Sequence, residues 1–269
     1  MKDRNAIIEL AKNGRPLKDV LVIDGHSHLS VYPLIPSSDE SVSSHAPEDV
    51  IVVMDRLGIA KACISGLNDL VIKAVRKYPD RFIGFATVNP NYPDNIVPEL
   101  KKCFRGGMTG IGEIVPAAHE HNYPVTGENY LAVWEFAEKE NCPVLVHSGP
   151  TESKDLCGPQ LIAQVAKWYP SVNFIIGHSG GYNSLDMLID AAKLINQHHN
   201  LYGDICGLGR FFGGVELLTS IAGSKKVIFG SDGPFECFTT DFGAAIFAKI
   251  SDEEKHNILG LNMLRLLGD

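Results

Sequence analysis

Six polar side chains stand out because each sits at the end of an apolar run. Asp24-Gly25-His26-Ser27-His28 follows Leu21-Val22-Ile23. Residues i and i+2 of an extended strand point to one face, so His26 and His28 can turn two imidazoles toward one cation. Imidazole is the commonest neutral ligand for Zn²⁺ and related ions. A lone His-x-His is weak evidence, since a single His after a strand is more often a hydrogen-bonded core or loop residue. The rest of the set strengthens it. Glu113 ends Gly110-Ile111-Gly112-Glu113, His147 ends Val144-Leu145-Val146-His147, and His178 ends Phe174-Ile175-Ile176-Gly177-His178. Asp232 closes Val227-Ile228-Phe229-Gly230-Ser231-Asp232. Taken singly, Glu113 could cap a helix or pair with Arg105, and Asp232 before Gly233-Pro234 could be a turn residue.

The elements that would position these groups are legible as eight short runs. They are Leu21–Asp24, Ala62–Ser65, Phe82–Val88, Gly110–Ile114, Val144–Ser148, Asn173–Gly177, Leu201–Ile205 and Val227–Gly230. Several are almost wholly apolar, as parallel strands covered on both faces are. Helix-period segments lie between them. Leu185, Leu188, Ile189, Ala192 and Ile195 share one face, as do Leu131, Trp134 and Ala137 within Asn129 to Glu140. Pro47 to Leu57 reads as a helix with Glu48 and Asp49 in its first turn. Eight β-then-α alternations in 269 residues predict a single (β/α)8 TIM barrel spanning 1–269, with the metal site at the C-terminal ends of the strands. An open doubly wound sheet shares the alternation and is the structural rival. Glu113 and His147 are 34 residues apart, and His147 and His178 are 31 apart. Each interval matches one βα unit of the chain, so the candidates fall on strands 1, 4, 5, 6 and 8. The serine-rich stretch from Leu29 to Ala46 follows the first strand and reads as a lid or a plain surface loop.

Composition narrows the partners. Acidic residues outnumber basic ones 32 to 24, for a net charge of −8. No Lys/Arg cluster exceeds two in a row, which argues against a nucleic-acid backbone as partner. No apolar run approaches the roughly 18 residues of a membrane span, and Lys2, Asp3, Arg4 and Glu9 interrupt any leader-like core. The six cysteines form no C-x-x-C pair. Free thiols in a reducing cytoplasm are therefore the expectation. A small-molecule substrate is the expected partner, and a homo-oligomer is compatible with the sequence.

With these residues in view, the chain resembles the amidohydrolase superfamily, and within it the amidohydrolase-related (family 2) group. The resemblance runs through His26-Ser27-His28, the strand-5 His147, His178-Ser179-Gly180-Gly181, Gly230-Ser231-Asp232-Gly233-Pro234, and the terminal run from Lys255 to Leu267. It implies a metal-dependent barrel with His26, His28, His147, His178 and Asp232 as the site. Many binuclear members bridge their metals with a carboxylated lysine on strand 4. Here that strand offers Glu113, in a pattern similar to TatD-type hydrolases, so Glu113 either bridges two ions or lines a one-metal site. The cofactor expected is a divalent metal, first Zn²⁺, with Mn²⁺ compatible with two carboxylates. Such an ion lowers the pKa of bound water to about 7, and Asp232 is the expected proton carrier. The leading expectation is therefore hydrolysis of an amide, ester or lactone. The alternatives are mononuclear decarboxylation or hydration of a small carboxylic acid, TatD-like phosphoester hydrolysis, and a metal-binding barrel without activity.

Arg210, after strand 7 in Gly207-Leu208-Gly209-Arg210, is the candidate for a bidentate grip on a substrate carboxylate or phosphate, against a surface salt bridge. His119, His121 and His45 are weaker pocket candidates. His198, His199 and His256 read as solvent-facing helix residues. A rival reading takes Gly177-His178-Ser179-Gly180-Gly181 as a G-x-S-x-G nucleophile elbow, with Asp232 and His256 completing a triad. It leaves His26, His28, Glu113 and His147 unexplained.

Overall fold

The computed structural model describes residues 6–17, 19–29, 46–116, 121–149, 154–181 and 184–268. The stretch predicted as lid or loop, 29–46, lies outside the described residues except for its two ends, as do His45 and His119. Eight parallel strands follow one another in spatial order: β1 (Ile23–Leu29), β2 (Lys61–Gly66), β3 (Phe82–Ala86), β4 (Gly110–Ile114), β5 (Val144–Val146), β6 (Phe174–Ile176), β7 (Leu201–Asp204) and β8 (Val227–Ile228). The ring closes just past β8. Gly25 donates its N–H to the Phe229 carbonyl (2.8 Å), and His28 donates to that of Gly233 (2.7 Å). This is a single (β/α)8 TIM barrel.

The helices are α1 (Ala6–Lys12), α2 (Pro47–Leu57), α3 (Asn68–Lys77), α4 (Pro93–Arg105), α5 (Leu131–Glu140), α6 (Lys154–Cys157), α7 (Pro159–Trp168), α8 (Leu185–Gln197), α9 (Gly214–Ala222), α10 (Phe238–Phe247), α11 (Asp252–His256) and α12 (Asn262–Leu266). Their starts follow local chemistry. Pro47 opens α2 where its missing N–H costs nothing. The Ser184 hydroxyl accepts the Met187 N–H at the start of α8. Ser251 and Glu254 form a reciprocal capping box on α11.

Two apolar layers hold the barrel. The larger lies between strands and helices, around Trp134, Phe174, Leu188 and Val227. The smaller fills the barrel with Ile23, Cys63, Phe85, Leu145, Ile175 and Ile228, where Met263 and Leu266 of α12 pack against it. The terminal run is built of α11, a π-helical turn at Asn257–Leu261, and α12. The Ile258 carbonyl in that turn accepts the N–H of Phe229 (2.8 Å), which ties the terminal segment to the barrel.

The clearest difference from the sequence expectation is β1. The run Leu21–Asp24 predicts a strand that stops before the histidines, yet β1 continues to Leu29 with every residue buried. His28 and Leu29 pair in register with Ser65 and Gly66 of β2. Polar Asp, His and Ser lack the β-branched signature of a strand, but here their backbones complete the ladder while their side chains enter the barrel mouth. Among the described residues, no helix is long and apolar enough to cross a membrane.

Candidate metal centre

All six predicted ligands meet at one end of the barrel. His28 Nε2 lies 3.0 Å from Asp232 Oδ1, and His26 Nε2 lies 3.7 Å from the same oxygen. Glu113 sits among the imidazoles: Oε1 is 2.8 Å from His147 Nδ1, 3.5 Å from His26 Nε2 and 3.7 Å from His178 Nε2, and Oε2 is 3.5 Å from His28 Nε2. His178 Nε2 is 3.2 Å from His147 Nδ1. His26, His28 and Asp232 form one triad with ligand atoms within 4.8 Å of one another, and His26, Glu113 and His178 form another.

Strand ends account for the convergence, and unusual backbone aims it. His178 (φ 55°), Ser179 (φ 43°) and Asp232 (φ 53°) are left-handed without being glycine, at a cost of roughly 1–2 kcal/mol per residue. Such outliers persist only where surrounding contacts hold them. Here Ser231 N–H and Asp232 N–H both donate to the His26 carbonyl, at 3.1 and 2.8 Å. The Ser231 hydroxyl donates to Asp24 Oδ2 (2.5 Å).

The electrostatics are those of a buried, densely charged site. Burial works against ionising Glu113, but His26 and His147 beside it hold its carboxyl well below the usual range. Asp232 is likewise lowered: burial opposes the charge, and the imidazoles of His28 and His26 beside it outweigh that penalty. Burial disfavours a charged His147, yet Glu113 raises its pKa overall. Burial also opposes charge on His26, whose pKa nonetheless ends well above the ordinary value beside Cys206, Glu113 and Asp204. Asp24 is pushed up to about 7 by burial, partly offset by its Ser231 hydrogen bond.

The residues present suit a divalent cation. His26 Nδ1 is held by Asp204 Oδ2 (2.8 Å), and His28 Nδ1 by the Ser65 hydroxyl (2.9 Å). The other ring nitrogen of each, Nε2, is buried and makes no hydrogen bond. A buried polar atom without such a bond needs an explanation. Two such nitrogens facing ionised carboxylates, each ring oriented through its opposite nitrogen, form a ligand set with its outer supports in place.

Sequence reasoning missed several of those supports. Asp204 ends β7 and is fully buried. The rule that found the other groups, a ligand-capable side chain closing an apolar strand, would have found it too. Ser65, the last residue but one of β2, pairs with His28 and carried no distinguishing signal. Phe235 packs edge-on against His28, with ring centroids 4.7 Å apart, and is 49% exposed. Arg210 stands on the turn after β7 and is ion-paired with Glu236 from the loop beyond Asp232. The grip expected on a substrate carboxylate is thus met here by a protein carboxylate. His121 is buried. His198 and His199 contact the carbonyls of Leu194 and Pro170. The nucleophile-elbow reading fails, because Ser179 is fully buried and its hydroxyl donates to the Asp204 carbonyl (2.5 Å).

Comparison with known proteins places this geometry. A 2-amino-3-carboxymuconate-6-semialdehyde decarboxylase from Dictyostelium discoideum is 23% identical, over 75% of this chain and 65% of that protein. The chain thus spans about 65% of the length of that curated relative. Among solved structures, a 2,6-dihydroxybenzoate decarboxylase from Rhizobium superposes with a TM-score of 0.73 at 17% identity, covering 93% of this chain and 99% of the other. A dihydroxybenzoic acid decarboxylase from Polaromonas sp. JS666, solved with bound manganese and the inhibitor 2-nitroresorcinol, gives 0.71 at 17% identity, covering 93% and 97%. The profile of the amidohydrolase family matches residues 23–268, and the chain belongs to that family, in its family 2 branch.

Proposed function

We propose that this chain is a divalent-metal-dependent enzyme that removes a carboxyl group, as CO₂, from a small ring or unsaturated carboxylic acid. The observation that carries the reading is the pair of buried Nε2 atoms of His26 and His28, which make no hydrogen bond and face the ionised Asp232 and Glu113. Similar proteins named as decarboxylases support this chemistry over the hydrolysis the sequence led us to expect.

His26, His28 and Asp232 would hold the ion, with Glu113, His147 and His178 beside it or around a second one. When bound, the cation supplies Lewis acidity toward a substrate oxygen. The protein must do the rest. Phe235 offers a half-exposed aromatic face next to His28, suited to a planar substrate. Decarboxylation breaks the bond between the substrate carbon and its carboxyl carbon. The electron pair stays on the substrate carbon, which takes one proton as CO₂ leaves. Asp232, ionised and facing His28, is the group we assign to that transfer: it takes a proton from an acidic group of the bound substrate and delivers it to the carbon.

One observation favours hydrolysis as the second reading. Six ligand-capable side chains exceed what a single four-coordinate ion uses, and Glu113 lies between the two groups of imidazoles. Two ions would favour an attacking hydroxide on an amide, ester or lactone.

The test strips the protein with a chelator, restores Zn²⁺ or Mn²⁺, and screens two panels. One panel is aromatic and unsaturated carboxylic acids, read by CO₂ release. The other is amides, esters, lactones and phosphoesters. Metal-restored CO₂ release supports the proposal. Hydrolysis without CO₂ release supports the second reading, and metal uptake with no turnover in either panel supports a binding role.

A further inference from the structure

We infer that Asp204 is the positioning residue that sets both the proton placement on His26 and the backbone of His178, an inference that rests on the metal-site reading above. Asp204 closes β7, with both side-chain oxygens buried in the barrel mouth. Oδ2 lies 2.8 Å from His26 Nδ1. With Oδ1 already accepting two backbone N–H groups, Oδ2 is placed to accept from Nδ1, which puts the ring's proton there. In the neutral ring this leaves Nε2 as a bare lone pair, aimed at Glu113 (3.5 Å) and Asp232 (3.7 Å). That tautomer is the one able to bind a cation on this side.

The other oxygen serves a different strand. Oδ1 accepts the backbone N–H of His178 (2.7 Å) and that of Cys206 (3.1 Å). His178 and Ser179 form the left-handed turn that points the strand-6 imidazole at Glu113. The Ser179 hydroxyl ties back to the Asp204 carbonyl. This contact requires Gly203 beside it, where a Cβ would lie 2.4 Å from Ser179 Oγ. One residue of β7 therefore links the ligands of strands 1 and 6, which are far apart in sequence. Cys206 lies close enough to form a third ligand group with His26 and Asp204. A cation there would compete for the Nδ1 that Asp204 already holds, so these groups act behind His26.

Asp204→Asn keeps the shape and removes one acceptor. If its amide oxygen stays on the His178 N–H, its NH₂ faces Nδ1 and demands a proton on Nε2, where the cation would bind. If the amide turns over, two N–H donors face each other at His178. Zinc titration of the stripped protein against a chelating dye should show affinity lower by roughly 10- to 100-fold in the variant. Ring-nitrogen NMR of stripped, ¹⁵N-histidine-labelled wild type should show a slowly exchanging proton on His26 Nδ1, and Asp204→Asn should lose it. A merely structural role would lower the unfolding temperature and leave the affinity of the folded protein unchanged. Affinity within twofold of wild type in a folded variant overturns the inference. So does an unprotonated Nδ1 in wild type, a readout that needs no variant to fold. If wild type takes up no zinc, the metal reading fails instead, and the Nδ1 spectrum still decides how Asp204 orients His26.

Discussion

Glu113→Gln in metal-stripped protein tests whether the site is built on charge. Glu113 is the shared counter-ion of the imidazoles, 2.8 Å from His147 and 3.5 Å from His26. At an effective dielectric constant of about 20, a unit pair at 2.8 Å is worth about 6 kcal/mol and one at 3.5 Å about 5 kcal/mol, before desolvation. Desolvation consumes much of that, and breaking a buried pair typically costs about 3–5 kcal/mol. The glutamine keeps the shape and loses the charge, so the lower end, about 3 kcal/mol, applies where the imidazoles are charged. Glu113 is held below 4.5, so its contribution is present above that value and fades as pH falls through its folded pKa. His147 is raised above 6.5, so its contribution is complete below 6.5 and is lost as pH rises through its folded pKa. At pH 6 both are present. Well above the raised histidine values only a neutral hydrogen bond of about 1 kcal/mol remains. Thermal unfolding should show the variant lower by roughly 6–12 °C at pH 6, and by much less once the histidines have lost their protons. An equal loss at both ends of the titration, or none at pH 6, refutes the charge-pair account.

Three further outcomes follow from the same structure. Asp232→Asn should retain metal within about tenfold while turnover falls by roughly 10²- to 10⁴-fold; wild-type rates would remove Asp232 from the proton path. Asp241, fully buried and accepting the N–H groups of Gly207 and Gly209, is pushed up to about 6 by burial. The native state then binds a proton that the unfolded chain, near 3.8, does not, so this group adds up to about 3 kcal/mol as pH falls from about 7 toward 4. Asp241→Asn should flatten that slope in urea unfolding, and parallel wild-type and variant curves would contradict it. Gly112→Ala should unfold at a lower temperature or fail to fold, because φ is +128° there and a Cβ would lie 2.4 Å from the Leu145 carbonyl oxygen. Unchanged thermal stability would show that Glu113 is not held by this close approach.

Strand number, strand order and the strand-end positions of the imidazoles and carboxylates were legible in the chain because apolar runs and βα spacing are local properties. β4 appears with the bounds its residues predict, and α2 begins and ends where Pro47 and Gly58 dictate. The polar half of β1 was not legible. Its strand character comes from pairing with β2 and with the segment after β8, not from its own residue types. The full role of Asp204 was also hidden, although its place at a strand end was visible. Its value lies in reaching His26 and the His178 backbone at once, contacts that span 178 and 26 residues. Arg210 shows another limit: its type left a substrate grip and a salt bridge both open, and only the folded chain pairs it with Glu236.

The sequence by itself determined that this is a barrel of repeated units and that its imidazoles and carboxylates sit at strand ends, since periodicity and spacing follow from covalent order. Only the tertiary structure decided which nitrogen of each histidine is held and which faces the cluster. A ring's proton and direction depend on the partners that a closed barrel brings within 3 Å, and those partners come from other strands.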